Sequence, residues 1–317
     1  MAKRKALVTG GAGFIGSHLC NKLLKNNYDV IAYDDLSNGS GKKNLSKNVK
    51  FVKGDISNGK KVKNLCNKVD VVFNLAVKPL VMSFYDPDEV VKVNDFGTYL
   101  IGKICVDTKT KLIHISSSEA YGSAVSLPMK EKHPLFPSTI YASSKAASEL
   151  YVRGFEKTDG LKMVIIRPFN SYGEFMRRDV YGAVFPKFFD RLNGGKVCTI
   201  TGTGKQTRDF TYVDDTCEGI MLADQTKEAI GNTFNIAQGK ETSIIKIAQL
   251  MTKNYYKITG KNIGTNFIYK KSRRGDVSRH LADISRARKV LGYKPKILLE
   301  EGIRKYLEWS LKKIDKK

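Results

Sequence analysis

Two short stretches of the chain carry residues that could transfer a proton. Tyr141 and Lys145 stand four residues apart in the sequence YASSK, within a predicted helix over residues 140–156, so both side chains lie on one face. An ammonium group there can lower the pKa of the phenol, and a phenolate can act as a general base. The second stretch, HISSSEAYG over residues 114–122, places serines directly after a predicted strand. An isolated Tyr–Lys pair is more often a solvated helix face, so this interpretation depends on the surrounding elements.

A glycine-rich turn near the N-terminus predicts a phosphate-binding cradle. Residues 5–16 read KALVTGGAGFIG, an apolar run followed by Gly10, Gly13 and Gly16 and then by an amphipathic helix. This spacing suits a tight turn, a close backbone approach to a pyrophosphate, and packing of the helix on the strand. Amide groups at the helix N-terminus can then hold the anion. The pattern predicts a dinucleotide site.

An acidic residue at the end of the second predicted strand indicates which dinucleotide binds. Asp34 follows the strand over residues 29–33, about 20 residues after the cradle, where a carboxylate accepts hydrogen bonds from the adenosine ribose. A carboxylate also repels a 2′-phosphate, so the sequence predicts NAD and not NADP. Asp55, in the sequence GDI after the next strand, could reach the adenine amino group.

Apolar strands alternate with helices in the rhythm of parallel β-α-β units. Further strands are predicted over residues 49–52, 69–74, 111–116 and 161–167, with helices over 59–68 and 89–107. The predicted fold class is α/β, a Rossmann-type doubly wound parallel sheet with a smaller C-terminal α/β substrate-binding lobe. In such sheets ligands bind outside the carboxyl ends of the strands. We therefore predict that the cofactor contacts Gly10, Gly13, Phe14, Ile15, Gly16, Asp34, Asp35, Asn38, Asp55, Ile56, Leu75 and Ala76.

The rhythm changes after about residue 170 to longer loops and short strands, over residues 197–201, 233–236 and 266–269. We predict an NAD-binding domain over residues 1–170, which also carries the Ser, Tyr and Lys of the site. Residues 171–317 are predicted to form mainly the substrate-binding lobe, from which some late helices return to the first lobe. No linker separates the halves, so the substrate is expected between them.

Composition excludes several other classes of protein. The chain has 317 residues and a net charge of +24, but its lysines are spread over the whole length without a nucleic-acid module, so we predict no nucleic-acid partner. Five scattered cysteines and four histidines show no ligand spacing, and we predict no metal site and reduced thiols. The apolar part of the N-terminal sequence is too short for a signal peptide and no segment spans a membrane. A cytoplasmic protein is expected.

The motifs, taken together and in order, resemble those of the extended short-chain dehydrogenase/reductases that act on nucleotide-diphosphate sugars. TGGAGFIGSHL, GDI, SSSEAYG, YASSK, RPFNSYG, TRDFTYVDD and RRGDVSRHLADISRARKVLGYKP cover nearly the whole chain. The resemblance implies that Tyr141 is the catalytic base and acid, that Lys145 holds the nicotinamide ribose, and that Ser117 is the catalytic serine. It implies further that Lys78, in NLAVK, lies beside the cofactor, which Tyr141 and Lys145 also contact. It also implies a homodimer, a UDP-linked nucleotide sugar as the ligand, and substrate contacts from Ser117, Asn170, Arg208 and Arg273.

The reaction implied by this family begins with oxidation of the sugar at C4: the 4-hydroxyl loses its proton to Tyr141, the hydride passes to the nicotinamide, and a 4-keto sugar forms. The members of the family then diverge. Return of the hydride to the other face gives a 4-epimer, loss of the 6-hydroxyl gives a 4-keto-6-deoxy sugar, and a 4-keto uronic acid can lose carbon dioxide. Many 4,6-dehydratases carry Asp-Glu where this chain has Ser118 and Glu119, although some dehydratases and the uronic acid decarboxylases show Ser-Glu.

Other departures lie in loops of the sugar side. Gly173-Glu174 replaces Gly-Pro, and Ala120 replaces valine. Residues 281–285 read LADIS, the form common in epimerases, where decarboxylases usually read Arg-Lys-Pro-Asp-Ile. The sequence therefore predicts an NAD-dependent nucleotide-sugar 4-epimerase, with a dehydratase and then a decarboxylase as alternatives, and an inactive NAD- or RNA-binding member as a remote one.

Overall fold

Seven parallel strands form the central sheet. The computed structural model describes residues 3–37, 41–178, 183–272 and 277–314. The sheet order is β3-β2-β1-β4-β5-β6-β11, and every neighbouring pair runs parallel. The strands of this sheet are β1 (Arg4–Thr9), β2 (Tyr28–Asp34), β3 (Lys50–Lys53), β4 (Val71–Asn74), β5 (Lys111–Ile115), β6 (Met163–Pro168) and β11 (Thr233–Ile236).

Helices cover both faces of this sheet. The helices are α1 (Phe14–Lys25), α2 (Gly59–Cys66), α3 (Pro87–Val90), α4 (Gly97–Asp107), α5 (Ile140–Asp159), α6 (Val184–Asn193), α7 (Val213–Gln225), α8 (Ile244–Thr259), α9 (Ser285–Leu291) and α10 (Leu299–Ile314). Successive strand residues point to opposite faces. Leu7 and Leu112 pack with α2, α4 and α5, whereas Val8 and Ile113 pack with α1 and α7. The predicted doubly wound fold is confirmed.

The strand order reverses between β1 and β4, and this reversal places the site. Chain segments leave these two strands toward opposite sides, which opens a crevice outside their carboxyl ends. Register pairs Thr9 at the end of β1 with Asn74 at the end of β4, so the cradle after β1 and the segment after β4 flank one crevice.

The remaining strands of the described ranges form three two-stranded sheets. They are β7 (Ser171–Tyr172) with β10 (Thr211–Tyr212), β9 (Thr207–Asp209) with β12 (Glu241–Ser243), and β8 (Thr199–Thr201) with β13 (Ile268–Lys270). Helices α6, α8 and α10 pack together beside them. The described residues contain no helix that is both long and apolar enough to cross a membrane.

Two elements differ from the sequence analysis. Thr233–Ile236 was expected in the smaller lobe, but it is β11, the edge strand of the large sheet beside β6. The helix predicted over residues 89–107 is interrupted by a π-helical segment, Val91–Phe96. Within that segment the Asn94 side chain accepts a bond from the Lys78 backbone N–H and donates to the Lys78 carbonyl. The spacing of apolar residues along the chain does not indicate such hydrogen bonds, so the π-helical segment was not predicted.

Candidate active site

The cradle is built where β1 turns into α1. Gly10 has a φ of +64°, and a Cβ atom there would lie 2.8 Å from the backbone nitrogen of Ala76. A Cβ atom on Gly16 would overlap the carbonyl oxygen of Gly10. Helix α1 begins at Phe14 after Gly13, and Phe14, Ile15 and Gly16 of its first turn line the cavity. These contacts fit the predicted pyrophosphate cradle, because a side chain at Gly10 or Gly16 would force the turn open.

Asp34 lies across the cradle from α1. Its carboxylate accepts hydrogen bonds from the N–H groups of Ala12 (3.0 Å) and Leu36 (2.8 Å). Burial raises the pKa of this carboxyl group, and the two N–H donors partly oppose that effect. A fixed acceptor beside the cradle is the arrangement that a ribose diol requires.

A buried lysine closes the side of the crevice near Asp34. The Nζ atom of Lys78 donates to Ser37 Oγ (2.9 Å) and lies 3.7 Å from Asp35 and 3.3 Å from Glu89. Asp55 also lines the cavity, and its pKa is lowered first by the backbone N–H of Ser57 and also by the charge of Lys78. Lys78 and Asp35, two of the predicted cofactor contacts, therefore form one charged part of the cavity wall.

Tyr141 and Ser117 meet at the other end of the crevice. Ser117 caps the short turn Ser118–Tyr121 by accepting from the N–H of Glu119, and its hydroxyl hydrogen-bonds to the Tyr141 side chain. Thr139 caps α5 by accepting from the N–H of Ala142. The cap fixes where α5 begins, so the phenol of Tyr141 lies over the end of β5.

The ammonium of Lys145 is bonded to the end of β5. Its Nζ atom donates to the carbonyl of Ile115 at 2.7 Å, and burial lowers its pKa to about 8. Burial raises the pKa of Tyr141 to about 12, although the Ser117 hydrogen bond lowers it in part. In this structure the ammonium donates to the strand end, and the effect of Lys145 on the pKa of the phenol stays a prediction.

One cavity of about 370 Å³ joins the cradle to Tyr141. The predicted site residues that line it are Gly10, Gly13, Phe14, Ile15, Gly16, Asp34, Asp35, Asp55, Ile56, Leu75, Ala76, Lys78, Ser117, Ser118, Glu119, Tyr141, Lys145 and Asn170. Asn38 and Arg273 lie outside the described residues. Arg208 lies on β9, where its Nη1 donates to the Thr207 carbonyl, and it is not among the described residues of the cavity wall.

The wall also contains polar residues that were not predicted from the sequence. Ser116, Ser171 and Arg177 are among them. The Oγ atom of Ser116 and the Nδ2 atom of Asn170 are buried without a hydrogen-bond partner among the described residues. Ser116 could have been found because it lies beside Ser117 at a strand end. Arg177 carried no such signal.

The sheet order, the cradle and the Tyr141–Ser117 contact define a Rossmann-type enzyme of the short-chain dehydrogenase/reductase class. The chain belongs to the GDP-mannose 4,6-dehydratase family, whose model matches residues 7–306. This confirms the family resemblance that the motifs predicted.

Relatives with different reactions are similar over nearly the full chain. The UDP-glucose 4-epimerase of Mycolicibacterium smegmatis is 34% identical, over 96% of this chain and 98% of that protein. The dTDP-D-glucose 4,6-dehydratase of Homo sapiens is 32% identical, over 96% and 89%. The solved UDP-glucuronic acid 4-epimerase from Bacillus cereus, in complex with UDP-glucuronic acid and NAD, is 33% identical with a TM-score of 0.87, covering 98% of this chain and 99% of that one.

Proposed function

We propose that this protein is an NAD-dependent nucleotide-sugar 4-epimerase. The observation that carries the proposal is that one cavity holds the glycine cradle, Asp34 and the hydrogen-bonded Tyr141–Ser117 pair. The cofactor is NAD, as predicted, since the cradle and the ribose acceptor fit it. The substrate is a UDP-linked hexose, N-acetylhexosamine or uronic acid, the class to which the epimerase relatives point.

Tyr141 is proposed to move the proton of the sugar 4-hydroxyl. When bound, NAD⁺ supplies the hydride acceptor and donor and a positive charge that lowers the pKa of a nearby phenol. Tyr141 takes the proton as the 4-keto sugar forms and gives it back when the sugar is reduced. Ser117 donates to the same oxygen, and Lys145 holds the ribose beside the end of β5. No net redox change results, so the cofactor is retained.

Ser118 favours epimerisation over elimination. Loss of the 6-hydroxyl needs a proton donor at the leaving oxygen, and an alcohol is a poor general acid compared with a carboxylic acid. Ser118 is buried in the cavity wall. Glu119 also lines the cavity and could remove a proton from C5, which is the observation that keeps a 4,6-dehydratase as the second candidate.

The nucleotide diphosphate is proposed to contact Asn170, Arg208 and Arg273. Asn170 lies in the cavity wall, and its amide nitrogen is buried without a partner among the described residues. Arg208 is buried on β9 in the smaller lobe, so contact with a phosphate requires the guanidinium to turn toward the cavity. These three assignments rest on the family resemblance.

A homodimer in the cytoplasm is the proposed state of the protein. An exposed apolar face, formed by Phe84, Tyr85, Phe96, Leu150 and Tyr151, lies on and beside α4 and α5. A face of this kind on neighbouring helices suits a second copy of the chain. All five cysteines are free and buried, as suits a reducing compartment.

Product analysis tests the proposed reaction. Purified protein is incubated with UDP-hexoses, their N-acetyl forms and UDP-uronic acids, and the products are analysed by mass spectrometry and NMR. An unchanged mass with a new sugar signal supports epimerisation. A loss of about 18 daltons means a dehydratase, a loss of about 44 daltons means a decarboxylase, and either result overturns the proposal.

A further inference from the structure

Each of the two residues on which the proposed chemistry depends is followed, three positions later, by a buried serine. Ser144 Oγ donates to the Tyr141 carbonyl at 2.8 Å, and Ser148 Oγ donates to the Lys145 carbonyl at 2.7 Å. Such bonds within a helix are common and by themselves indicate nothing. What distinguishes these serines is that a second buried group, on another element, donates to each hydroxyl oxygen.

Ser148 is held by His114 on β5. The imidazole Nε2 lies 3.0 Å from Ser148 Oγ, whose only proton is already used on Lys145. Nε2 must therefore be the protonated nitrogen, and Nδ1 accepts from Asn74 Nδ2 at 3.4 Å. Both His114 and Ser148 are fully buried. The helix backbone at Lys145 is thus tied through two side chains to the end of β4.

Ser144 is held in the same way by Asn94 of the π-helical segment. Asn94 Nδ2 donates to Ser144 Oγ at 3.2 Å, and the Asn94 side chain is also fixed by the Lys78 backbone. Asn74 connects the His114–Ser148 contact with the Asn94–Ser144 contact. It donates to Nδ1 of His114 and to the Thr98 hydroxyl, and that hydroxyl donates to the Asn94 carbonyl.

The shared residue also reaches the cradle. Thr9 Oγ1, one residue before Gly10, donates to Asn74 Oδ1 at 2.7 Å. Thr9 Oγ1 in turn accepts from the N–H groups of Leu75 and Ala76, which line the cavity. One buried network therefore connects the cradle strand with the turns of α5 that carry Tyr141 and Lys145.

We propose that Ser144 and Ser148 are positioning residues that lock α5 onto the sheet, with Asn94 and His114 as their anchors. A helix held at one point can still rotate or slide, whereas two anchors one turn apart fix both movements. Misplacement of a reacting group by a fraction of an ångström lowers the rate strongly, so the lock acts on turnover more than on binding. The inference rests on the proposed roles of Tyr141 and Lys145.

The test compares Ser144→Ala and Ser148→Ala with a matched control, Thr252→Val. Thr252 is also a buried hydroxyl bonded to its own helix, α8, and belongs to no described network at the cavity. We expect each serine variant to lose about tenfold in kcat with KM nearly unchanged. The control should lose a similar amount of stability to urea and keep its kcat.

A second measurement does not depend on sugar turnover. The pKa of Lys145 is measured by NMR titration of protein labelled with ¹³Cε-lysine, and its signal is assigned by its loss in Lys145→Met. The ionisable groups that face Lys145 are Glu149 on α5 and His114 on β5. A loosened α5 exposes the ammonium, so its titration should move upward by about half a pH unit or more in both serine variants. Unchanged kcat and an unchanged Lys145 titration in both variants would overturn the proposal. If the wild type turns over no nucleotide sugar, the proposed function fails, and the titration alone still decides this inference.

Discussion

At the scale of single residues, the candidate site depends on how burial changes protonation. Tyr141 is a weak acid in this structure because its phenolate would lie in a desolvated wall, and Ser117 supplies a hydrogen bond that favours the charged form. Lys145 is destabilised as an ammonium by the same burial, to a pKa of about 8. Burial therefore raises the pKa of Tyr141 and lowers the pKa of Lys145, because it disfavours the charged form of each group.

Replacing Tyr141 by phenylalanine tests its role as the base. The ring and its packing stay, but no group remains to take the 4-hydroxyl proton, so kcat should fall by about 10²–10⁴-fold while the nucleotide sugar still binds. Steady-state kinetics and calorimetric titration measure the two quantities. Tyr256→Phe on α8, an exposed tyrosine, is the control and should keep full activity. Near-normal turnover by Tyr141→Phe would contradict the assignment.

Asp34 is expected to set the cofactor preference. Wild-type protein should bind NAD much more tightly than NADP, because the carboxylate accepts from ribose hydroxyls and repels a 2′-phosphate. In Asp34→Ser the NAD affinity should fall by about ten- to a hundredfold and the preference for NAD should shrink. Fluorescence titration of both cofactors measures this. Asp29→Ser, at the opposite end of β2, should change neither affinity, and a wild type that prefers NADP would refute the prediction.

At the scale of elements, the site exists because β1, β4, β5 and β6 end at one edge of the sheet. Sequence periodicity predicted these strands and α5 well, since buried strands and amphipathic helices leave strong local patterns. The π-helical segment and the position of β11 were not predictable in this way. Both depend on partners far along the chain, Lys78 for Asn94 and β6 for β11.

Gly16→Ala tests the close contact between β1 and α1. The added Cβ would overlap the Gly10 carbonyl, so the turn must open. We expect loss of NAD binding by at least tenfold and destabilisation of about 1–3 kcal/mol, measured by titration and urea unfolding. Gly154→Ala, in the middle of α5 with open space around it, is the matched control. It should leave NAD binding unchanged and stabilise by up to about 1 kcal/mol. Wild-type affinity in Gly16→Ala would argue against the cradle.

At the scale of the whole molecule, buried polar groups and an exposed apolar face set the expected behaviour in solution. The network around His114 lies between the sheet and α5, so its protonation bears on the whole fold. The exposed apolar face, which includes Leu150 and Tyr151 of α5 and Phe96 just before α4, belongs to the same layer. Both features can be tested without knowledge of the substrate.

Stability should fall in acid because His114 is held neutral. Burial, followed by the charge of Lys145, lowers its pKa well below the ordinary value near 6.5. The unfolded chain binds this proton first, so the contribution is complete above pH 6.5 and is lost as the pH falls below it. The loss should approach about 1.4 kcal/mol per pH unit, measured as urea unfolding free energy between pH 7 and 5. His114→Gln should remove this part of the slope. An identical slope in both proteins would contradict the prediction.

The proposed dimer should depend on the apolar face. Leu150 is 64% exposed on α5, and Leu150→Asp should convert the dimer to a monomer because a carboxylate cannot be buried there without a partner. Light scattering after size exclusion measures the mass. Leu298→Asp changes a leucine that is 60% exposed and lies next to α10, and should leave the dimer intact. A monomeric wild type would exclude the proposal.

The sequence by itself determined the features that are local. Gly10, Gly13 and Gly16, the acidic end of β2 and the YASSK spacing each predict a geometry within one or two neighbouring elements, because backbone sterics and helical periodicity act over a few residues. The family and the doubly wound sheet followed from their order.

Only the tertiary structure decided contacts between distant segments. It turned the Lys145 ammonium to Ile115, put Arg177 and Ser116 in the cavity wall, and left Arg208 on β9. It also joined His114 to Ser148 across the sheet and α5. These contacts depend on strand register and on the packing angle of helices, which no short stretch of sequence encodes.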